Sequence, residues 1–417
     1  MTFKSIRGTK DILPPETARW QHVESVVRAV FHRYNYKEIR TPIFEQTSLF
    51  ARSIGELTDI VGKEMYTFTD RSDDSLTLKP EGTASVIRSF IQNNLGEAQP
   101  LVKVYYISPM FRQERPQAGR LRQFHQFGAE AIGSPFAEAD AEIIAMTIEV
   151  YRQLSLTNYA LKINSVGCEK CRPRYKEILQ TELRKIAPQL SPESQRRIEQ
   201  NPMRVLDSKN EDDLRLTSSM PLITNYLCEE CSSHFEKVKS FLSSLGISYV
   251  VDGRLVRGLD YYTKTAFELT SSELGSQDAL AGGGRYDLLA QELGGKPTPG
   301  IGFAAGFERL MMVIEKKGLL NDLDVHPTIF LAAADETSRS WVLEKTMELR
   351  SHGIAAETDF LHRSLKAQMR EADRQRAAFV TVVGAEELNK QAAVLKNLRV
   401  KNEREVPFAD LAKVLSE

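Results

Sequence analysis

The sequence predicts a multidomain protein of mixed α/β and α+β class: a large domain with antiparallel strand pairs, interrupted by a helical insertion, and then a small C-terminal α/β domain. Three observations predict it. Period-two apolar runs come in pairs joined by polar turns, Met65–Thr69 with Ser75–Leu78 and 102–111 with 124–129, which is hairpin patterning. From Cys168 to about Phe235 the chain is richer in charge, carries Pro173, Pro188, Pro192, Pro202 and Pro221, and reads as short helices with polar joints. Beyond Pro327, strand-like runs at Ile329–Ala333, Ala355–Thr358, Phe379–Gly384 and Ala393–Leu398 alternate with helical runs, the pattern of a small α/β fold.

These patterns place one domain at 1–324, with its insertion at 168–235, and a second at 325–417; polar residues and Pro327 mark the break. A chain of 417 residues, 41% hydrophobic and 27% charged, can bury full cores. Its net charge is −1, so any nucleic-acid contact must come from local basic patches. No apolar run is long enough to span a bilayer, and the opening MTFKSIRGTKD lacks the apolar core of a signal peptide. A cytoplasmic protein with no membrane partner is expected.

Taken in order, Pro14 and Pro15 precede a helix on which Trp20, Val23, Val26, Val27, Val30 and Phe31 recur at helical spacing. A strand, Lys37 to Ile43, follows. The hairpin 65–78 delivers Lys79-Pro80-Glu81-Gly82-Thr83, a tight turn with Thr83 placed to cap the helix through Ile87, Phe90 and Ile91. A carboxylate on such a turn, Glu81, can receive an ammonium or imidazolium, although most such acids are plain loop residues. Met110 to Glu130 reads as two strands whose connection holds Arg112, Arg115, Arg120 and Arg122. Arginine forks match phosphate and carboxylate geometry, so this loop suggests a polyanionic substrate; composition alone allows a solvated hairpin tip equally well.

Glu138 to Leu154 reads as an amphipathic helix and Leu161 to Val166 as a strand. After the insertion, Leu255 to Tyr262 reads as strand-like, with Arg257 before a glycine and Tyr261 and Tyr262 following, a set able to aim a guanidinium and two hydroxyls into one pocket. Ala281 to Asp287 contains three glycines that allow close backbone approach. Pro299 to Leu310 is a glycine-rich strand turning into a helix; its glycines at 300, 302 and 306 miss the dinucleotide-binding spacing by one, and no βαβ unit supports that reading. Arg363, Lys366, Arg370 and Arg374 fall at helical spacing and suit RNA phosphates, while Glu371 and Asp373 among them suit an ordinary solvated face.

The run from Arg112 to the RQFHQ ending at Gln126 resembles motif 2 of the class II aminoacyl-tRNA synthetases, and in detail that of the histidyl-tRNA synthetase family. Other stretches carry the resemblance in the family's order. The first helix and strand, ending at Pro42, resemble the dimer-forming motif 1; Lys79 to Thr83 resembles the PEGT run that contacts the amino acid. Leu255 to Tyr262 and Ala281 to Asp287 resemble the two histidine-specific motifs, Pro299 to Leu310 resembles motif 3, and the C-terminal region looks like an anticodon-binding domain.

The resemblance implies a class II antiparallel-sheet catalytic domain and an activity: L-histidine and ATP give histidyl-adenylate, and the acyl group passes to the 3′ end of tRNA(His). It implies Arg112 and Arg257 as the catalytic pair on the α-phosphate, with Arg112, Glu114 and Arg309 binding ATP and Mg²⁺ carried on the ATP phosphates. Glu81, Thr83, Gln126, Glu130, Tyr261 and Tyr262 would surround histidine, and Arg120, Arg363, Lys366 and Arg370 would meet tRNA. A homodimer is implied by motif 1. The competing expectation is a non-catalytic synthetase-like regulatory subunit of histidine biosynthesis, which typically lacks the anticodon-binding domain and has degraded motifs.

The four cysteines form two Cys-x-x-Cys pairs, Cys168 with Cys171 and Cys228 with Cys231, at the two ends of the insertion. Brought together, they would make a structural Cys₄ zinc site with no open position for catalysis. Four unligated thiols and a redox pair are the alternatives, and no thioredoxin-like βαβ pattern supports the second.

Overall fold

The structure, a computed structural model, describes residues 3–416 except 56, 57, 59, 278, 321, 322, 324 and 325. Of the predicted break at 321–327, residues 321, 322, 324 and 325 therefore lie outside the described residues. The chain divides into two compact units, Met1–Asn321 and Asp322–Glu417.

In the first unit, α1 (Glu16–Arg33) starts directly after Pro14 and Pro15 and buries Trp20, Val23, Val27, Val30 and Phe31 along one stripe. The strand expected over Lys37 to Ile43 is shortened to β1 (Lys37–Glu38); 39–43 is irregular, and a second short strand, β2 (Phe44–Gln46), begins just beyond it in a different sheet. Pro42, with no N–H to donate, stands between them. There follow α2 (Thr47–Ile54), the hairpin β3 (Tyr66–Thr69) and β4 (Ser75–Leu78), α3 (Thr83–Gln92) and α4 (Leu95–Ala98). The cap of α3 differs from expectation. Thr83 is the first helical residue, and Glu81 accepts from the N–H groups of Thr83 at 2.7 Å and Ala84 at 2.8 Å, because its side chain reaches the unpaired amides that Thr83 cannot reach from inside the helix.

The long hairpin β5 (Val102–Phe111) and β6 (Gln123–Ile132) pairs antiparallel through ten residues, from Val102 opposite Ile132 to Phe111 opposite Gln123. After α5 (Ala137–Gln153) and β7 (Ala160–Ser165) comes a helical segment: α6 (Arg172–Ile186), α7 (Pro192–Gln200), α8 (Met203–Leu206), α9 (Glu211–Leu216) and α10 (Glu229–Ser244). The unit closes with β8 (Val250–Val251), β9 (Thr263–Thr270), β10 (Ala279–Arg285), α11 (Leu289–Glu292), β11 (Gly300–Gly306) and α12 (Phe307–Lys316). The sequence reading of Leu255 to Tyr262 as strand-like is corrected: this stretch is irregular backbone leading into β9. A strand would send Tyr261 and Tyr262 to opposite faces, whereas here both are buried with their rings 4.7 Å apart.

The main sheet runs β1-β5-β6-β11-β10-β9-β7-β8, antiparallel throughout its middle and parallel only at its two edges. On β6, Phe127, Ala129 and Ala131 enter the core with α1, α5 and α12, while Gln126, Gly128 and Glu130 take the opposite face. That second face is covered by a separate apolar cluster that includes Tyr106, Tyr261, Tyr262, Tyr286 and residues of α3 and α6. A sheet buried on both faces needs few polar residues inside, so those that are there stand out.

The second unit is a five-stranded sheet in the order β13-β12-β14-β15-β16, from β12 (Ile329–Ala333), β13 (Ala356–Thr358), β14 (Phe379–Val383), β15 (Ala392–Asn397) and β16 (Asn402–Pro407). Helices α13 (Arg339–Ser351), α14 (Leu365–Arg374), α15 (Ala385–Lys390) and α16 (Leu411–Ser416) intervene or follow. The first three strands are parallel, and β16, too polar to show in the apolar pattern, closes the sheet antiparallel.

A buried polar node holds the first unit together. Asp140 of α5 and Arg285 of β10 are both fully buried and ion-paired. His234 of α10 and Thr265 of β9 each donate to Asp140 Oδ2 at 2.6 Å, and Arg285 also donates to the carbonyls of Ser134 at 2.7 Å and Phe136 at 3.0 Å. Burial alone would raise the Asp140 carboxyl, yet Arg285 and the His234 hydrogen bond hold it below the usual range. We expect Asp140→Asn to cost about 3 kcal/mol in urea unfolding, because the buried Arg285 loses its fully buried carboxylate and keeps only the partly exposed Asp287 at 3.1 Å. A depressed carboxylate contributes stability above its unfolded pKa and loses it as pH falls through the folded one, so the gap to wild type should narrow in acid. A gap that stays constant into acid, or a variant as stable as wild type, would show that the node does not carry this load.

Candidate active site

Three separated stretches fold onto one cavity, lined by Arg112, Glu114, Arg120, Gln126, Arg257, Glu268 and Arg309 among others. The β5–β6 hairpin brings Arg112 and Arg120; of its other two arginines, Arg115 is exposed and Arg122 packs beneath Gly8. Arg112 is oriented by Nε donating to the Pro80 carbonyl at 2.9 Å and by its guanidinium lying 5.3 Å above the Phe124 ring. The Lys79–Thr83 turn and the hairpin are thus joined, and Phe111 N–H donates to Lys79 O at 3.0 Å as well.

Arg257 reaches the cavity from the irregular stretch before β9, and its Nη1 donates to Glu268 Oε2 at 2.7 Å. It lies against Gly282 of β10, where a Cβ would fall 2.3 Å from the guanidinium; the glycine is what makes room for it. Arg309, in the first turn of α12, donates to the carbonyls of Gly119 at 3.2 Å and Ala279 at 3.0 Å. Burial, and next the charge of Arg120, push the Arg309 pKa down. Four guanidinium groups against three carboxylates, Glu114, Glu268 and Glu308, leave the lining cationic.

Beside this cavity, on the same face of β6 as Gln126, lies a cluster of buried polar side chains. Glu130 is fully buried and accepts from Thr83 Oγ1 at 2.7 Å and from Tyr286 OH at 2.6 Å. Loss of water raises its pKa to about 8, against the lowering effect of those two hydrogen bonds. Gly302 on β11 is required beneath it, since a Cβ there would fall 1.6 Å from Glu130 Oε2. Tyr261 and Tyr262 belong to the same cluster, with Tyr286 edge-on to Tyr261 at 5.9 Å. Burial raises the hydroxyl pKa of Tyr262, and Arg257 beside it opposes the rise. Gln126 Oε1 is buried and has no hydrogen-bond partner among the described residues, so it is an acceptor turned toward the site.

Arg112, Glu114, Arg120, Gln126, Arg257 and Arg309 therefore meet in one cavity, and Glu81, Thr83, Glu130, Tyr261 and Tyr262 fall into the adjoining buried region. Glu81, buried as well, already spends both oxygens on the N-terminus of α3. Arg363, Lys366 and Arg370 belong to the second unit. Of that basic stripe, Arg363 and Arg374 both pair with Glu371, while Lys366 and Arg370 are exposed on α14. Glu268 and Tyr286 were not singled out in the sequence. The signal for Glu268 was a charge between the apolar Phe267 and Leu269; Tyr286 lay within the Ala281–Asp287 stretch but was given no role there.

The match to known proteins is extensive. Residues 8–310 match the family described as histidyl-tRNA synthetase, and residues 331–417 match the anticodon binding domain. A histidine–tRNA ligase from Halothermothrix orenii is 49% identical over 412 residues, covering 99% of this chain and 98% of that protein. One from Chloroherpeton thalassium is 50% identical over 414 residues, covering 99% and 97%. The crystal structure of apo histidyl-tRNA synthetase from S. aureus superimposes with a TM-score of 0.85 at 38% identity, covering all of both chains. A Bacillus halodurans structure named as an ATP phosphoribosyltransferase regulatory subunit/histidyl-tRNA synthetase shares the fold at 22% identity and a TM-score of 0.66. The cationic cavity, the buried polar cluster beside it and a likeness that runs through both units lead to one conclusion: this chain belongs to the histidyl-tRNA synthetase family.

Proposed function

We propose that the chain is a histidine–tRNA ligase that activates L-histidine with ATP and transfers the histidyl group to the 3′ end of tRNA(His). The observation that carries this reading is the adjacency of a cavity lined by Arg112, Arg257 and Arg309 to a buried cluster of Glu130, Thr83, Tyr261 and Tyr262. In the first step the histidine carboxylate oxygen attacks the α-phosphorus of ATP, a P–O bond forms to give histidyl-adenylate, and pyrophosphate leaves with the electron pair of the broken bond. Arg112 and Arg257 are the donors assigned to the charge on the α-phosphate, Arg309 to the terminal phosphate, and Glu114 to the nucleotide. In the second step the terminal ribose hydroxyl of tRNA attacks the acyl carbon, and AMP leaves.

Histidine's ammonium is assigned to Glu130 and Thr83, with Gln126, Tyr261 and Tyr262 facing its imidazole and Glu81 holding the turn from beneath. A wrong side chain would leave those buried polar groups unpaired, which is the source of selectivity. Mg²⁺ enters on the ATP phosphates. The four cysteines are assigned a structural Zn²⁺, since four thiolates leave no open position. Residues 1–324, with an insertion at 168–235, are assigned to catalysis in a cytoplasmic homodimer; residues 325–417, with Lys366, Arg370 and Arg363, and Arg120 of the catalytic domain, are assigned to tRNA. Retention of Glu81, Arg112, Arg257, Arg309 and the second unit weighs against a regulatory subunit.

Arg257→Ala should cut histidine-dependent ATP–pyrophosphate exchange by roughly 10²–10³ and affect transfer from preformed adenylate much less; equal losses in both half-reactions would remove Arg257 from the α-phosphate. A chain ending at Leu320 should still support exchange but charge tRNA poorly, and full charging would assign the second unit another purpose. Glu130 holds its proton below a pH of about 8 in the free protein and gives it up to pair with the ammonium, so histidine binding near neutral pH should release a proton. Calorimetry in two buffers of different ionisation enthalpy reads this directly: wild type should show a buffer-dependent heat that Glu130→Gln lacks, and equal heats in wild type would place the ammonium elsewhere.

A further inference from the structure

Four sulfurs meet outside the cavity. Cys168 and Cys171 lie at the start of α6 and Cys228 and Cys231 at the start of α10, and all four Sγ atoms lie within 4.8 Å of one another. The close pairs are Cys168–Cys228 at 3.7 Å, Cys168–Cys171 at 3.8 Å and Cys171–Cys231 at 3.9 Å. A tetrathiolate zinc with bonds of about 2.3 Å has tetrahedral edges of about 3.8 Å. A disulfide would need sulfurs about 2.05 Å apart. Three of the six sulfur separations thus match that edge, and the other three are at most 4.8 Å, so the four thiols are gathered as a zinc site needs.

The surroundings suit the double negative charge such a centre would carry. Two helices of 15 and 16 residues present their N-termini to it, with Cys171 and Cys228 as their N-cap residues. The Cys168 N–H donates to Cys171 Sγ at 3.2 Å. Lys170 and Lys264 flank it, both bridged to Glu230, which lies between Cys228 and Cys231. At Gly167, with φ +69°, a Cβ would sit 2.9 Å from Cys171 Sγ, so the chain turns there only because it has no side chain.

One residue links these cysteines to the buried polar cluster. Arg172, next after Cys171, donates Nε to Val166 O at 3.0 Å and Nη2 to Gly167 O at 3.1 Å, and the same Nη2 donates to the carbonyl of Tyr262. Tyr262 packs at a tilt against Tyr261, Tyr261 meets Tyr286 edge-on, and Tyr286 OH donates to Glu130. We propose that Cys168, Cys171, Cys228 and Cys231 bind one Zn²⁺ per chain, and that this zinc, acting through the positioning residue Arg172, sets the place of the Tyr261–Tyr262 wall and hence the affinity for histidine. The second half rests on the reading of that polar cluster as the histidine site. Loading is an exchange without redox change: Zn²⁺ enters and the thiol protons leave.

The test uses full-length protein purified reduced and without chelator. Elemental analysis should find one zinc per chain, absent from the Cys168→Ser, Cys228→Ser double variant, and replacement by Co²⁺ should give the visible bands of a tetrahedral tetrathiolate. Stripping the metal should raise the KM for histidine in pyrophosphate exchange about tenfold, as a displaced binding wall would, leave the KM for ATP nearly unchanged, and be reversed by added Zn²⁺. Arg172→Met should keep its zinc and show the same rise. Metal-free wild type with a featureless Co²⁺ titration, or disulfides in its place, would overturn the site. Bound zinc whose removal leaves the histidine KM unmoved, or an Arg172→Met enzyme with wild-type KM, would overturn the positioning role. Should zinc-loaded protein give no histidine-dependent exchange, the histidine reading and the positioning role fall together, while the metal count and Co²⁺ spectrum still decide the site.

Discussion

The first unit depends on one buried ion pair, Asp140 with Arg285. Two opposite charges removed from water are tolerable only when every donor and lone pair is met, and here His234, Thr265 and the carbonyls of Ser134 and Phe136 complete the set. Those bonds come from three separate parts of the chain: the loop before α5, β9 and α10. Together they clamp α5, β9, β10 and the returning helix α10 to one point. With β10 held there, Gly282 and Gly284 come to lie under Arg257 and Tyr262, and the glycine-rich strand becomes the floor of the site.

The cavity arginines outnumber the carboxylates that meet them: Arg112 and Arg120 share Glu114, at 3.7 and 3.3 Å. Arg309 is held by two backbone carbonyls, and Arg112 is further oriented by one carbonyl and a ring face, so part of the lining's positive charge is oriented and available to an anion. Burial first, and then repulsion from Arg120, lowers the pKa of Arg309. Such a lining has its reorganisation cost met during folding, the condition under which fixed dipoles and charges stabilise a developing phosphate charge most effectively. Arg257 differs, because Glu268 pairs with it directly.

The polar cluster beside the cavity follows the opposite logic. Glu130 is surrounded by hydroxyl donors and apolar walls with no cation bonded to it, and burial keeps its proton on at neutral pH. A carboxyl in that state gains a great deal when a ligand cation arrives. The glycine at 302 sets how closely β11 can approach that carboxyl.

By itself the sequence determined the order of the elements, the arginine-rich hairpin, the two-unit division in outline and the family, because periodicity and motif spacing are local properties of the chain. It also pointed to most cavity residues, since Arg112, Arg257 and Arg309 each lie in a short recognisable run. Tertiary structure alone decided the rest. Glu81 turned out to cap α3 through the amides of Thr83 and Ala84, the Leu255–Tyr262 stretch proved irregular, and the strand at Lys37–Ile43 stopped at Glu38, with the chain passing to another sheet after Pro42. Glu268 and Tyr286 became visible only once β9 and β10 were paired. The meeting of two cysteine pairs sixty residues apart has the same cause: convergence depends on how α6 and α10 pack, and no local pattern records that.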